Sequence, residues 1–260
     1  MKYYALITGA SKGIGKAIAE ELASRQVNLL LVARDAQLLE TLTKTLKQQY
    51  HIEAYFLALD LAIPNAVTAL NSWIETNLFK VNILVNNAGY GLSGSFTNYT
   101  IEEHKAMMQV NMTVPVELTA VLLPQLKIHQ PSYILNIVSS AAYQSVPGLT
   151  TYAASKSFLL SFSRGLRYEL RNKGVSVTAV SPGSTDTGFA ARAKVGGKGL
   201  RAAEKVNMTA KAVATMAVKA MYAKKAEVIT GFINQLGAFL VWLFPKKLAE
   251  KTAASIYELD

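Results

Sequence analysis

The sequence predicts a doubly wound α/β fold, with seven strands in a parallel sheet and helices on both faces. Three observations predict it. Short apolar runs alternate with longer helix-like stretches through almost all of the 260 residues. The runs are apolar throughout instead of alternating with polar residues, as strands covered on both faces are. The first run leads straight into a glycine-rich turn and then a helix, Thr8-Gly-Ala-Ser-Lys-Gly-Ile-Gly15.

Strands are expected at 3–8, 27–33, 53–59, 81–85, 133–138, 175–180 and 227–230. Helices are expected near 13–25, 36–50, 64–79, 101–129, 152–172 and 209–224. This β–α alternation is the pattern of a parallel sheet with helical crossovers. No internal repeat and no Pro/Gly/Ser-rich linker interrupts it, so one domain over 1–260 is expected.

Composition narrows the function classes. With 51% hydrophobic and 17% charged residues, the chain is globular and not disordered. It has no cysteine, which excludes disulfides and thiolate-held metal. His51, His104 and His129 lack ligand spacing and fall in polar, surface-like contexts, so no metal is expected. The opening MKYYALITGASKG shows no long apolar core with a cleavage site, and the expected location is the cytoplasm. A net charge of +10 suits either an acidic surface or phosphorylated ligands. No basic tract is interleaved with aromatics, so a nucleic-acid partner is not expected.

In chain order, the first candidate site is the turn after strand one. Glycines at a strand-to-helix turn let backbone approach a ligand, and the helix N-terminus offers free N–H groups to a pyrophosphate. Gly9, Gly13 and Gly15 follow T-G-x-x-x-G-x-G and not the commoner G-x-G-x-x-G. The second constellation is Tyr152-Ala-Ala-Ser-Lys156, with Ser139 thirteen residues upstream at the end of the apolar run Tyr133–Val138. On a helix, Lys156 lies one turn beyond Tyr152 on the same face. An ammonium there lowers the phenol from its reference value of about 10 towards neutrality, which makes a usable general acid or base. A serine hydroxyl at a strand tip is placed to hold a carbonyl oxygen beside that tyrosine.

Together these motifs resemble the short-chain dehydrogenase/reductase family, over nearly the whole chain. Asn86-Asn-Ala-Gly89 is similar to its N-N-A-G element, and Asp60 to the acidic residue that contacts adenine. Asn111 is similar to its helix asparagine, and Pro182-Gly183 with Thr187 to the P-G-x-x-x-T element beside the nicotinamide. The resemblance implies a Rossmann-like fold, a nicotinamide dinucleotide and a small-molecule carbonyl or alcohol substrate. It implies cofactor contacts from Gly9, Ser11, Lys12, Gly13, Ile14, Gly15, Arg34, Asp60 and Leu61. Further contacts fall to Asn87, Ala88, Gly89, Tyr152, Lys156, Pro182, Gly183, Thr185 and Thr187.

The implied chemistry is hydride transfer at a carbonyl with Tyr152 protonating the oxygen. Ser139 orients that oxygen, Ser140 being the second choice, and Lys156 tunes the tyrosine and binds the ribose hydroxyls. Asn111 holds a water that links Lys156 to solvent. The other class is a non-catalytic dinucleotide sensor or scaffold, which is expected to have lost Tyr, Lys or Ser. The resemblance also implies a homodimer or homotetramer through the helix after Lys156, whose apolar sides would equally suit burial within one subunit.

The dinucleotide is expected to be NADP(H), with NAD(H) as the alternative. Asp35 lies 20 residues after Gly15, where an acid would bind the adenosine ribose and favour NAD. The second strand ends at Ala33, however, and the tip reads Ala33-Arg34, with Lys12 inside the glycine turn. Two cations there suit a ribose 2′-phosphate; the alternative leaves Arg34 and Lys12 merely exposed, with Asp35 capping the next helix.

Two later stretches bear on the substrate. The segment at about 188–208 carries Arg192, Lys194, Lys198, Arg201 and Lys205. By resemblance it covers the substrate, and it is read either as a basic lid for an acidic substrate such as an acyl thioester or as a solvated loop. The apolar tail at about 232–260 contains Leu236–Phe244, nine residues, against about 20 needed to span a bilayer. It is expected to wall the pocket or join a subunit interface, with peripheral membrane contact, and a lipid-like ketone as substrate, as the alternative.

Overall fold

A computed structural model of the protein describes residues 2–205 and 207–256. Met1, Val206 and 257–260, which belong to the expected domain, covering segment and tail, lie outside the described residues. The first half comprises β1 (Tyr4–Thr8), α1 (Gly13–Ala23), β2 (Asn28–Ala33), α2 (Ala36–Tyr50), β3 (Ala54–Ala58), α3 (Ala66–Thr76) and β4 (Val81–Asn86). Then come α4 (Ile101–Met108), α5 (Val114–Ile128), β5 (Ser132–Ile137), α6 (Thr150–Glu169) and β6 (Val175–Ser181). The last part holds β7 (Thr185–Asp186), α7 (Phe189–Arg192), α8 (Gly197–Lys205), β8 (Met208–Thr209) and α9 (Ala210–Tyr222). It closes with β9 (Glu227–Ile229), α10 (Phe232–Leu243) and α11 (Lys246–Ile256).

Seven strands form one sheet in the order β3-β2-β1-β4-β5-β6-β9, and every neighbouring pair is parallel. The seven expected strands are all present, within a residue or two of their expected ends. Two-sided burial explains their composition: Leu29, Leu30, Leu31 and Val32 of β2 are all fully buried. Leu29 and Leu31 face the core shared with α1, α2 and α9, while Leu30 and Val32 face that of α3, α5 and α6. A fully buried Leu or Val contributes about 1.5–3 kcal/mol, so four in one strand secure its place. The helices follow the same logic, as in α2, where Leu39, Leu42 and Leu46 form one buried stripe.

Strand order reverses between β1 and β4, and a crevice opens there at the carboxyl ends. Three features depart from the sequence reading. The single helix expected over 101–129 is broken by a π turn at Gln109–Thr113, which contains Asn111. The covering segment folds into α7 and α8 and ends at β8, which pairs with β7 just ahead of the segment, and the tail folds into two helices. His104, expected on a polar surface, is buried at 5% exposure. Its ring nitrogens meet the Phe96 carbonyl and the Thr151 hydroxyl, each at 3.2 Å, and with both partnered the ring can be buried.

Candidate active site

The glycine turn is held by the N-N-A-G element. Thr8 Oγ accepts from the backbone N–H groups of Asn87 and Ala88, both at 3.0 Å. Asn87 Nδ2 donates to the carbonyls of Thr8 (2.9 Å) and Gly9 (3.2 Å). Gly9 has φ +67°, and a Cβ there would sit 2.8 Å from Asn87 Nδ2. A Cβ on Gly15 would collide with the Gly9 carbonyl oxygen. These two glycines therefore allow the chain to press on itself, and the turn they shape presents the start of α1 to the crevice. No side chain caps α1, so its first N–H groups remain for an anion.

The catalytic candidates converge from β5 and α6. Tyr152 and Lys156 are both buried, at 8% and 4% exposure, with the ammonium 5.8 Å from the tyrosine ring centre. Lys156 Nζ donates to the Ile137 carbonyl at the end of β5, 2.9 Å away. Burial pushes the Lys156 pKa down to about 8. Ser139 Oγ accepts from the Ala141 N–H at 3.1 Å, which leaves its own proton to be donated. Ser140 lies beside it at the start of a short 3-10 turn.

Asn111 supports this group from behind. Its Oδ1 accepts from the Tyr90 N–H (3.1 Å), and its Nδ2 donates to the Tyr90 carbonyl (2.9 Å) and Ser155 Oγ (3.0 Å). Gly89 lies between Asn111 and Lys156, since a Cβ there would meet Asn111 Oδ1 at 3.1 Å and Lys156 Nζ at 3.2 Å. A further buried chain ties the sheet to α6. Asn86 Nδ2 donates to Asn136 Oδ1 (2.8 Å), and Asn136 Nδ2 donates to Ser163 Oγ (2.8 Å).

Gly9, Ser139, Ser140, Tyr152 and Lys156 border one crevice of about 910 Å³. Of the site residues read from the sequence, only Gly15 and Asn111 stand behind its wall; every other one lines it. Where β2 meets the crevice, the strand stops at Ala33 and both Arg34 and Lys12 are exposed along the lining. The Asp35 carboxylate accepts from the Leu38 N–H at 3.0 Å and caps α2. Asp60 accepts from the Ala62 N–H at 3.0 Å. On the opposite wall, Thr187 packs where a Gly13 Cβ would be, 2.8 Å away, so the P-G-x-x-x-T element touches the glycine turn.

Some lining residues had no sequence signal. Arg192 of α7 stacks on the Tyr90 ring at 4.2 Å. Burial, then the Arg34 charge, lowers its pKa, so two guanidinium groups face the same end of the crevice. Arg192 was visible only as one of several basic residues in the covering segment. Phe189 packs 5.2 Å from the Tyr152 ring. Val146, Leu149, Ala238, Val241 and Ala253 complete an apolar end, so one side of the tail does wall the pocket. Tyr143 also lines it, but burial and the Glu227 carboxylate (2.6 Å) push its pKa up and hold its proton. Among the described residues, no group of three His, Asp or Glu side chains could hold a metal ion.

The model of the short chain dehydrogenase family matches residues 3–196. The chain belongs to the short-chain dehydrogenase/reductase family. It is 35% identical to hydroxysteroid dehydrogenase-like protein 1 of Gallus gallus over 69% of this chain, and spans only 54% of that protein's length. It is 32% identical to ketoacyl reductase HetN of Nostoc over 88% of this chain and 78% of that protein. A short-chain dehydrogenase of Sphingobium yanoikuyae, solved with NADPH, is 30% identical with a TM-score of 0.81, covering 89% of each chain. A short-chain dehydrogenase/reductase of Burkholderia phymatum, solved with NAD, is 26% identical with the same TM-score of 0.81, covering 92% of each chain. The glycine turn, the uncapped α1 and the crevice volume fit a nicotinamide dinucleotide of either kind. This member of the short-chain dehydrogenase/reductase family has its candidate catalytic side chains gathered at one crevice.

Proposed function

We propose that the protein is an NADPH-dependent carbonyl reductase, or the reverse alcohol dehydrogenase, acting in the cytoplasm. The observation that carries the reading is the meeting of Tyr152, Lys156 and Ser139 at the apolar end of the crevice behind the glycine turn. The nicotinamide, when bound, supplies the hydride. Ser139 donates its hydroxyl proton to the substrate oxygen and orients it, and Tyr152 protonates that oxygen as it gains charge. Lys156 holds positive charge beside the tyrosine and binds the nicotinamide ribose hydroxyls. Asn111 carries the water that reconnects Lys156 to solvent. Because its side-chain amide is engaged with Tyr90 and Ser155, that water's contact falls to the main chain of the π turn.

NADP(H) is favoured over NAD(H) by the adenosine end. Arg34, Lys12 and Arg192 line it, and the acid that would bind the ribose hydroxyls, Asp35, is committed to capping α2. Val146, Leu149, Phe189, Val241 and Ala253 support an apolar substrate, and the basic covering segment suits an acyl thioester. Kinship to a ketoacyl reductase accords with that class. A homodimer or homotetramer through α6 belongs to the same reading, since Phe158 is 39% exposed there and stacks on Phe162. The test is fluorescence titration of the purified protein with NADPH and NADH, followed by a ketone panel with the tighter one. Tight NADPH binding with turnover of a ketone supports the reading; binding without turnover across a broad panel returns the sensor class.

A further inference from the structure

Helix α10 is apolar on two sides, and only one of them is used. Asn234, Ala238 and Val241 line the crevice. Facing away from them, Phe232, Leu236, Phe239 and Leu243 recur at i, i+4, i+7 and i+11, a single helical stripe. These four are 77%, 45%, 54% and 56% exposed, and Trp242 beside them is 79% exposed. No residue of Phe232–Leu243 is charged. Scattered exposed apolar residues are ordinary, whereas a continuous stripe of large ones marks a surface that something covers.

We propose that this outer face of α10 docks into the interface of a bilayer carrying anionic lipid, with the helix lying in the membrane plane. A second copy of the chain is the poorer occupant. The five exposed side chains of this face together offer on the order of 500 Å² of accessible surface, at about 150–250 Å² for a whole aromatic side chain. A stable interface takes about 800 Å² from each partner. A bilayer needs no matched partner shape, and twelve residues are too few to cross one, which takes about 20. The charges nearby are complementary to anionic headgroups. Lys246, Lys247 and Lys251 follow at once on α11 and are all exposed, against the single acid Glu250, and the chain carries +10 overall. Trp and Phe bounded by lysines are the side chains that settle at the headgroup boundary. Because the inner face of the same helix walls the crevice, an apolar molecule could pass from the leaflet to the site without crossing water. Docking itself goes beyond the reductase reading and does not depend on it.

The experiment is flotation of the full chain with vesicles of phosphatidylcholine mixed with phosphatidylglycerol, and with phosphatidylcholine alone. The protein is expected to float with the mixed vesicles, and its Trp242 emission to shift to the blue. Phe239→Asp should abolish flotation. Lys246→Gln and Lys247→Gln should each lower partition by about fivefold. Phe239, Lys246 and Lys247 do not line the crevice, so unchanged NADPH affinity in these variants shows that the fold survives. Absence of flotation, or flotation indifferent to Phe239→Asp, overturns the proposal. So does a sedimentation result in which Phe239→Asp dissociates an oligomer of a protein that does not float, which would hand the stripe to a second copy. A protein that floats as described but reduces no ketone leaves docking standing and removes only the reductase reading.

Discussion

The guanidinium of Arg192 lies 4.2 Å from the centre of the Tyr90 ring, so α7 reaches back across the crevice to the residue that follows the N-N-A-G element. Arg34 stands close enough to depress the Arg192 pKa. Two like charges, only partly offset by Asp60, form a site that a phosphate would relieve.

That arrangement predicts the dinucleotide preference. Arg34→Ala should weaken NADPH by about tenfold or more while leaving NADH nearly unchanged, since a hydrogen bond to a charged group contributes about 1.5–3 kcal/mol. Arg192→Ala should act in the same direction. Fluorescence titration of each variant with both dinucleotides checks this. Equal losses for NADPH and NADH would remove the 2′-phosphate from the Arg34 site.

Tyr152→Phe should cost about 100-fold to 10,000-fold in turnover, the usual worth of a positioned acid. NADPH affinity should hardly change, because the ring and its packing on Phe189 remain. Steady-state kinetics beside a binding titration separates the two effects, and a variant that keeps full turnover would relieve Tyr152 of its role.

Lys156 predicts a pH signature in stability. Its pKa falls from 10.5 to about 8 because burial opposes the charge. Between those values the unfolded chain holds a proton that the native state has released, so native stability rises as pH climbs from about 8 towards 10.5. Below about 8 the full cost of the buried charge, roughly 3 kcal/mol, is present. Lys156→Met removes that cost and loses the bond to Ile137, worth about 1 kcal/mol. Urea unfolding should therefore show the variant more stable near neutrality, with an advantage that fades by about pH 10. An advantage that stays constant across that range would contradict the buried-ammonium account.

Two glycines give opposite expectations for the same change. Gly15→Ala drives a methyl group into the Gly9 carbonyl, so it should cost about 3 kcal/mol and lower Tm by roughly 10 °C. Gly165, exposed in α6, has nothing within 4 Å of an added Cβ. Gly165→Ala should raise stability by about 0.5–1 kcal/mol. Thermal melts of both variants decide it.

The sheet was legible because its strands are buried on both faces, which forces sequences such as Leu29-Leu-Leu-Val32 that no exposed segment would carry. The catalytic group was legible because Tyr152 and Lys156 are one helical turn apart, a spacing that a helix turns into proximity. The break at Asn111 left no trace, since a π turn needs no special residue and the apolar pattern runs through it. The burial of His104 depends on the Phe96 carbonyl in the preceding loop and on Thr151, 47 residues away, and so could not be read from its polar neighbours. Arg192 was one basic residue among several until α7 fixed its direction. In the tail, the apolar run was plain, but only the helix phase separates the pocket side of α10 from its outer stripe.

The hydrogen bonds from Asn86 to Asn136 and on to Ser163 join the half of the molecule that carries the glycine turn to the half that carries Tyr152. Their partners lie on β4, β5 and α6, three elements drawn from either side of Ser139. A hybrid that kept this N-terminal half and borrowed the rest from a relative would inherit both sets of functional side chains. It would hold them in alignment only if the borrowed half brought its own partner for the amide of Asn136.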